Sequence, residues 1–217
     1  MVQKNMLDRL SEKFFNKPTH ISLTQTHPIQ YRPIRATDGS SLVEIFTNMS
    51  PASRYFRYHQ PVISPSPKWL REWVASVAQL PAEQSFGLLA LASISPITTI
   101  PVGMAYCVKT KEGSAEFAVM VRDDFQRKGI GTTLVTRLAE KAAAQGIHTL
   151  KADVLCKNLA MLRVVEKLLY KTSRQVVYDC YVVSVDLKSP ITRYHSIVDL
   201  NPCDERPLFQ YPHSNDL

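Results

Sequence analysis

Among the four cysteines of this 217-residue chain (Cys107, Cys156, Cys180 and Cys203) there is no Cys-x-x-Cys pair. That absence argues against a zinc ribbon or a disulfide framework and predicts reduced thiols in a cytoplasmic protein. No apolar run is long enough for a bilayer. The longest, Phe86 to Val108, is interrupted by Pro96, Pro101 and several hydroxyl residues, so no membrane helix is expected. The first residues carry Asp8 and Glu12 and no apolar h-region, which argues against a secretory signal. There is no internal repeat, no low-complexity tract, no long Lys/Arg run and no basic–aromatic repeat, so the net charge of +7 reads first as a solvated basic surface and argues against a nucleic-acid module. At 45% hydrophobic and 21% charged residues, the composition is that of an ordinary globular protein large enough to bury a full core.

The pattern predicts a single domain over residues 28–188. An N-terminal appendage, residues 1–27, precedes it, with Leu7, Leu10, Phe14 and Phe15 at helical spacing up to Pro18. A proline-containing polar tail, residues 189–217, follows. Within the domain, Gln30–Arg35 reads as a strand and Ala36-Thr37-Asp38 as N-cap candidates. One helix runs through Leu42, Ile45 and Phe46, and another through Trp69, Trp73 and Val77. Strands follow near 86–92 and 102–110, with Pro96 and Pro101 assigned to the loop between them and a turn at Lys111-Glu112-Gly113. The apolar run Ala115–Val121 predicts a central strand buried on both faces. A helix over 129–144 ends at Gly146, a strand spans 148–155, a helix spans 158–169, and one or two strands close the domain over 175–187. The fold class is α/β: a single mixed, mostly antiparallel sheet flanked by helices.

One segment combines a strand, a turn and a helix with charge. Val119-Met120-Val121 leads into Arg122-Asp123-Asp124-Phe125-Gln126-Arg127-Lys128-Gly129-Ile130-Gly131-Thr132. Free N–H groups at a helix N-terminus form an anion site, glycines admit the backbone close to a phosphate, and Arg127 and Lys128 add positive charge. A plain structural turn is the competing reading. No Lys-Ser/Thr pair follows the glycines, which excludes a P-loop. Leu134 occupies the place of the third glycine, which excludes a dinucleotide fingerprint.

Gln126-Arg127-Lys128-Gly129-Ile130-Gly131 resembles the Gln/Arg-x-x-Gly-x-Gly/Ala signature of the GNAT superfamily of N-acetyltransferases. The entry Tyr31–Asp38 and the segment Asn158–Leu168 extend that resemblance. Ser53-Arg54-Tyr55-Phe56-Arg57 and Glu116 look more like the branch containing bacterial protein-lysine acetyltransferase domains. The resemblance implies the GNAT fold and transfer of acetyl from acetyl-CoA, with no metal, to a primary amine on a small molecule or a protein. It implies that acetyl-CoA lies where the Val119–Val121 strand splays from the strand ending at Leu155. Backbone groups of Val119, Met120 and Val121 would hold the pantetheine and acetyl carbonyl, and an N–H aimed at the carbonyl oxygen would stabilise the developing oxyanion, a contribution of about 3–4 kcal/mol in other acyl-transfer sites. Arg127, Lys128, Gly129, Ile130, Gly131 and Thr132 would hold the pyrophosphate. Asn158 matches a cofactor contact and is equally an N-cap.

A lysine-like amine of pKa about 10.4 leaves fewer than about one molecule in 10³ unprotonated at neutral pH, so a base is useful. Glu116 is the first candidate, because it opens the apolar strand on the side of Ala118 and Met120, where burial would raise its pKa or a water would relay the proton. Its alternative is a solvated strand-start carboxylate. Asp153 on the neighbouring strand is the reserve candidate, or a structural acid. The family's proton-donating tyrosine is replaced by Val165, and a family glycine by Leu169; Tyr170 is expected to fill the core. Competing functions are a non-catalytic acyl-CoA-binding regulatory domain and, more distantly, a nucleic-acid-binding module. The sequence leaves the oligomeric state open.

Overall fold

The computed structural model describes residues 27–191, except 79, 80, 82 and 112. The amphipathic N-terminal segment and the residues after 191, Cys203 among them, lie outside the described residues. Among the described residues seven strands form one sheet in the order β1-β2-β3-β4-β5-β7-β6. These are β1 (Ile29–Pro33), β2 (Ser85–Ser95), β3 (Thr98–Lys111), β4 (Ser114–Val121), β5 (Thr149–Leu155), β6 (Tyr170–Val177) and β7 (Cys180–Pro190). Every neighbouring pair is antiparallel except β4 with β5. The helices are α1 (Gly39–Thr47), α2 (Pro51–Tyr58), α3 (Pro67–Ala78), α4 (Ile130–Ala144) and α5 (Leu159–Glu166). This is the expected mixed, mostly antiparallel sheet flanked by helices.

Each face of the sheet carries its own core. On the front, Leu42, Ile45 and Phe46 of α1 and Leu70, Trp73 and Val77 of α3 cover Leu89, Met104 and Met120. The alternation of period two in the strands and three to four in the helices puts these side chains on one surface. Trp69 and Trp73 stack with ring centroids 6.2 Å apart and Phe46 lies against both. On the back, Ile130, Leu134, Leu138 and Ala142 of α4 and Leu162 and Val165 of α5 cover Ala105, Cys107, Phe117, Leu150 and Val183.

Four local features differ from the sequence reading. Ser53–Tyr58 lies within helix α2, which has no buried residue. Its signal was the start: Ser50 caps it by accepting from Ser53 N–H at 3.2 Å, and Pro51 occupies the first turn. Pro101 belongs to β3 rather than to a loop. The ladder jumps from Ala90↔Gly103 to Leu91↔Pro101, so Val102 is an extra, bulged residue, and a bulge tolerates the missing proline donor. Asp38 does not cap α1 with its side chain. Its carboxylate turns back to accept two bonds from Arg32, at 2.6 and 2.7 Å, and one from Arg35 N–H at 2.7 Å. Burial pushes that carboxyl up, but Arg32 and the Arg35 N–H outweigh it and hold it below its ordinary value. Finally, β4 is not buried on both faces: Glu116 is exposed on the front, and Val119 and Val121 are only half-buried on the back.

Candidate active site

β4 and β5 pair for a short distance and then part. Their parallel register covers only Ser114↔Thr149, Ala115↔Leu150 and Glu116↔Lys151. β4 continues to Val121 against β3, and β5 continues to Leu155 against β7. From Phe117 onward the β5-facing edge of β4 therefore has no ladder, which leaves a cleft bordered by Val119, Met120 and Val121. Such an edge offers backbone donors and acceptors that a bound group can use.

The turn leaving β4 lies at the end of that cleft. Asp123–Phe125 form one 3₁₀ turn, and Arg127 (φ 59°) and Gly129 (φ 80°) are both left-handed. Gly129 supplies no side-chain cap to α4, and Thr133 N–H bonds back to Gly129 O at 3.0 Å. The N–H groups of Ile130, Gly131 and Thr132 lie ahead of that bond, in the orphan first turn. A Cβ on Gly129 would meet nothing within 4 Å, and one on Gly131 would sit 3.7 Å from both Val121 and Val164. Gly131 thus opens a notch between β4 and α5. The side chains of Arg127 and Lys128 are exposed, with Lys128 Nζ 4.8 Å from the centre of the Phe125 ring. At the cleft's other wall, Asn158 caps α5: its Oδ1 accepts from Met161 N–H at 3.1 Å.

Side chains that the sequence reading missed brace this turn. Arg122, only 2% exposed, bonds Asp124 at 3.1 and 2.9 Å and reaches Glu44 of α1 at 3.4 Å. Burial pushes the Glu44 carboxyl up, against the pull of Arg122. The Asp123 carboxylate accepts three bonds of 2.8 Å from Ser50 N–H, Ser50 Oγ and Ser53 Oγ. Gln126 Nε2 donates to Val121 O at 3.1 Å and to Ser53 Oγ at 3.2 Å. The strand end, the turn and the start of α2 are therefore one bonded unit. Asp123 and Ser50 lie too far apart in sequence for local pattern to join them.

The front face near the start of β4 holds the other half of the site. Strand alternation puts Glu116, Ala118 and Met120 on that face, and the β4–β5 register adds Lys151 and Asp153. Glu116 and Asp153 are both exposed, so the expectation of a buried Glu116 is corrected: it lies at the strand's open start, ahead of the helices covering Met120. Tyr106 of β3 stands opposite Ala118, and Arg57 of α2 donates from Nη2 to the Tyr106 hydroxyl at 2.6 Å. Tyr58 Oη lies 3.7 Å from Met120 Sδ, and burial pushes its hydroxyl well above the ordinary tyrosine value. The signal for this cluster was the basic–aromatic alternation of Ser53–Tyr58.

Cys180 Sγ sits 3.8 Å from His59 Nδ1 and 3.6 Å from Asp179 Oδ1. Burial and the charge of Asp179 push this thiol up to about 11, so it stays protonated at neutral pH and makes a poor nucleophile. Val165 is fully buried in the back core and offers no proton donor, and Tyr170 packs against that core as expected. Among the described residues no group of His, Cys, Asp and Glu is arranged to hold a metal ion, and no helix is long and apolar enough to cross a membrane.

The model of the GNAT acetyltransferase domain matches residues 29–171. The chain belongs to the GNAT acetyltransferase family. Transfer of an acetyl group from acetyl-CoA is accordingly its reaction class. An acetyltransferase of Pseudomonas aeruginosa is 27% identical over 141 residues, which is 64% of this chain and 73% of that protein. The GNAT domain of S. lividans PAT superposes with a TM-score of 0.63 at 23% identity, covering 73% of this chain and 90% of that one. A Salmonella typhimurium chain solved with acetyl-CoA superposes with a TM-score of 0.56 at 18% identity, covering 73% and 94%. The two structures show that this GNAT chain shares their fold.

Proposed function

We propose that this GNAT protein transfers acetyl from acetyl-CoA directly to a primary amine, on a small molecule or a protein lysine, with Glu116 as general base. The observation that carries the reading is the single strand β4: its C-terminal half borders the cleft and its N-terminal end bears an exposed carboxylate on the front face. The residues present fit acetyl-CoA. The orphan N–H groups of the first turn of α4, the open Gly129 position, the Gly131 notch and the exposed Arg127 and Lys128 form an anion cradle for the pyrophosphate. Val119, Met120 and Val121 offer an unladdered backbone edge for the pantetheine and the acetyl carbonyl, and Asn158 lies on the opposite wall with its Oδ1 already used as a cap. Bound there, acetyl-CoA supplies an activated thioester.

The protein's own work is positioning and proton removal. An incoming amine must lose a proton to attack, and Glu116 accepts it directly or through one water. Asp153 shares the face one strand over and is the reserve acceptor of that proton. The amine nitrogen bonds the acetyl carbon as the carbon–sulfur bond breaks, and the nitrogen's second proton goes to the departing sulfur. A thiolate of ordinary pKa near about 8.5 leaves with modest help, so the loss of the tyrosine at Val165 is tolerable. The high pKa of Cys180 favours direct attack over an acetyl-cysteine intermediate.

The test is incubation of the purified chain with acetyl-CoA and a panel of amines and acetylatable proteins, following thiol release and the acceptor's gain of one acetyl mass. Acetylation of at least one amine is expected. Tight CoA binding with no acceptor turned over would instead favour a non-catalytic acyl-CoA-binding domain.

A further inference from the structure

Arg54 and Arg57 leave the same helix and are held differently. Arg54 donates to the carbonyls of Thr47, Ile63 and Val62 at 3.1, 2.9 and 3.4 Å and lies 4.5 Å over the Phe46 ring. It is a brace. Arg57 has one hydrogen bond, to the Tyr106 hydroxyl at 2.6 Å, and its guanidinium lies 5.0 and 5.7 Å from the centres of the Tyr58 and Tyr106 rings. Among the described residues its Nε is buried without a partner and no carboxylate pairs with it. A half-buried guanidinium, oriented by two rings and lacking a counter-ion, is a cation waiting for an anion.

A feature of opposite sign on the same front face is Glu116, itself exposed and without an ion pair among the described residues. Tyr106 stands opposite Ala118, and Glu116 is the next residue of β4 on that face. Diagonal neighbours of this kind lie about 7–8 Å apart, their Cβ atoms somewhat closer. A fixed cation and a free carboxylate thus flank one patch without pairing. That arrangement complements a zwitterion.

We propose that the acceptor is a small amino acid whose carboxylate is bound by Arg57, positioned by Tyr106, while its amine faces Glu116. This rests on the amine-transfer reading and narrows it. In the transfer, one proton passes from the ammonium to Glu116, the nitrogen–carbon bond forms, the carbon–sulfur bond breaks with its electron pair going to sulfur, and the second nitrogen proton goes to that departing thiolate. The carboxylate is held and unchanged. Lys151, in register with Glu116, is an alternative cation, but it is exposed and has no ring or hydroxyl to fix it.

The experiment compares amino acids with their own carboxamides as acceptors for the full chain at saturating acetyl-CoA, reading kcat/KM. Amidation makes the amine less basic, so chemistry alone favours the amide. The expected result is at least about a tenfold preference for the best acid over its amide. Arg57→Gln should bring the ratio close to one with CoA affinity unchanged by calorimetry, Arg57→Lys should keep part of the preference, and Tyr106→Phe should reduce it. Lys151→Gln should leave it intact. Wild type using amides as well as acids, acetylation confined to protein lysines, a folded Arg57→Gln that keeps the preference, or a preference lost in Lys151→Gln would each overturn the assignment while leaving amine transfer standing. If no amine at all is acetylated, the transfer reading falls first and this inference with it.

Discussion

The two ends of β4 are built by different means. At its C-terminal end the chain works with backbone: a left-handed Arg127, a left-handed Gly129 and the first turn of α4 lie within a few residues of one another. At its N-terminal end it works with side chains brought from afar, as when Arg57 of α2 meets Tyr106 of β3 near Glu116. The first kind of site is written in a contiguous motif and is the one we propose for the cosubstrate. The second depends on tertiary packing, and it is where we propose that the acceptor is chosen. If the division is real, substitutions at the two ends should separate cofactor affinity from turnover.

The largest separation is expected at Glu116. Glu116→Gln should lower kcat about 10³-fold at neutral pH, the scale of a lost general base, while calorimetry finds acetyl-CoA affinity unchanged. Asp153→Asn should stay close to wild type, and a collapse of Asp153→Asn with an active Glu116→Gln would exchange the two roles. Next is the brace between the ends. Arg122→Met removes a buried guanidinium and leaves Glu44 and Asp124, each partly exposed, without their partner. Urea unfolding should show a loss of about 3 kcal/mol, and a change below about 1 kcal/mol would mean the pairing contributes little.

Gly129→Asp marks the cofactor end. The side chain has open space, and aspartate tolerates the left-handed backbone better than most residues, so the fold should survive. The added negative charge beside the phosphates should weaken CoA binding about 100-fold, or roughly 2.7 kcal/mol. Equal affinity in a folded variant would move the phosphates elsewhere. The smallest effect lies away from both ends, at Asp38. Its folded carboxyl is held below its ordinary value by Arg32 and Arg35, so the stability it contributes is present above the unfolded pKa of about 3.9 and is lost as pH falls through the folded value. Asp38→Asn should cost about 1–2 kcal/mol at neutral pH and flatten the decline in stability below about pH 4. An unchanged acid profile would contradict that assignment.

Legibility followed the same division. The sheet, α1, α3, α4 and α5 were readable because apolar residues recur at the period of each element, as at Ile130, Leu134 and Leu138. The Gly129–Gly131 turn was readable because its geometry is local. Helix α2 was not, since it buries no residue, and the Pro101 bulge was not, since it exists only in register with β2. Arg122 and Asp123 carried no readable role because their partners, Glu44 of α1 and Ser50 at the cap of α2, lie far away in sequence. The exposure of Glu116 was hidden by the apolar run after it, which masks that the covering helices begin only further along the strand.

The pH–rate profile of Glu116→Gln beside wild type, at saturating acetyl-CoA and with the best acceptor found, bears most directly on the claim that one strand joins cofactor and base. Wild type loses its advantage where the acceptor already arrives unprotonated. The ratio of wild-type to variant kcat should therefore be large near pH 7 and shrink steadily toward an acceptor pKa of about 10. A ratio that stays constant across that range, or equals one throughout, would contradict the account and leave Glu116 a solvated carboxylate at the start of a strand.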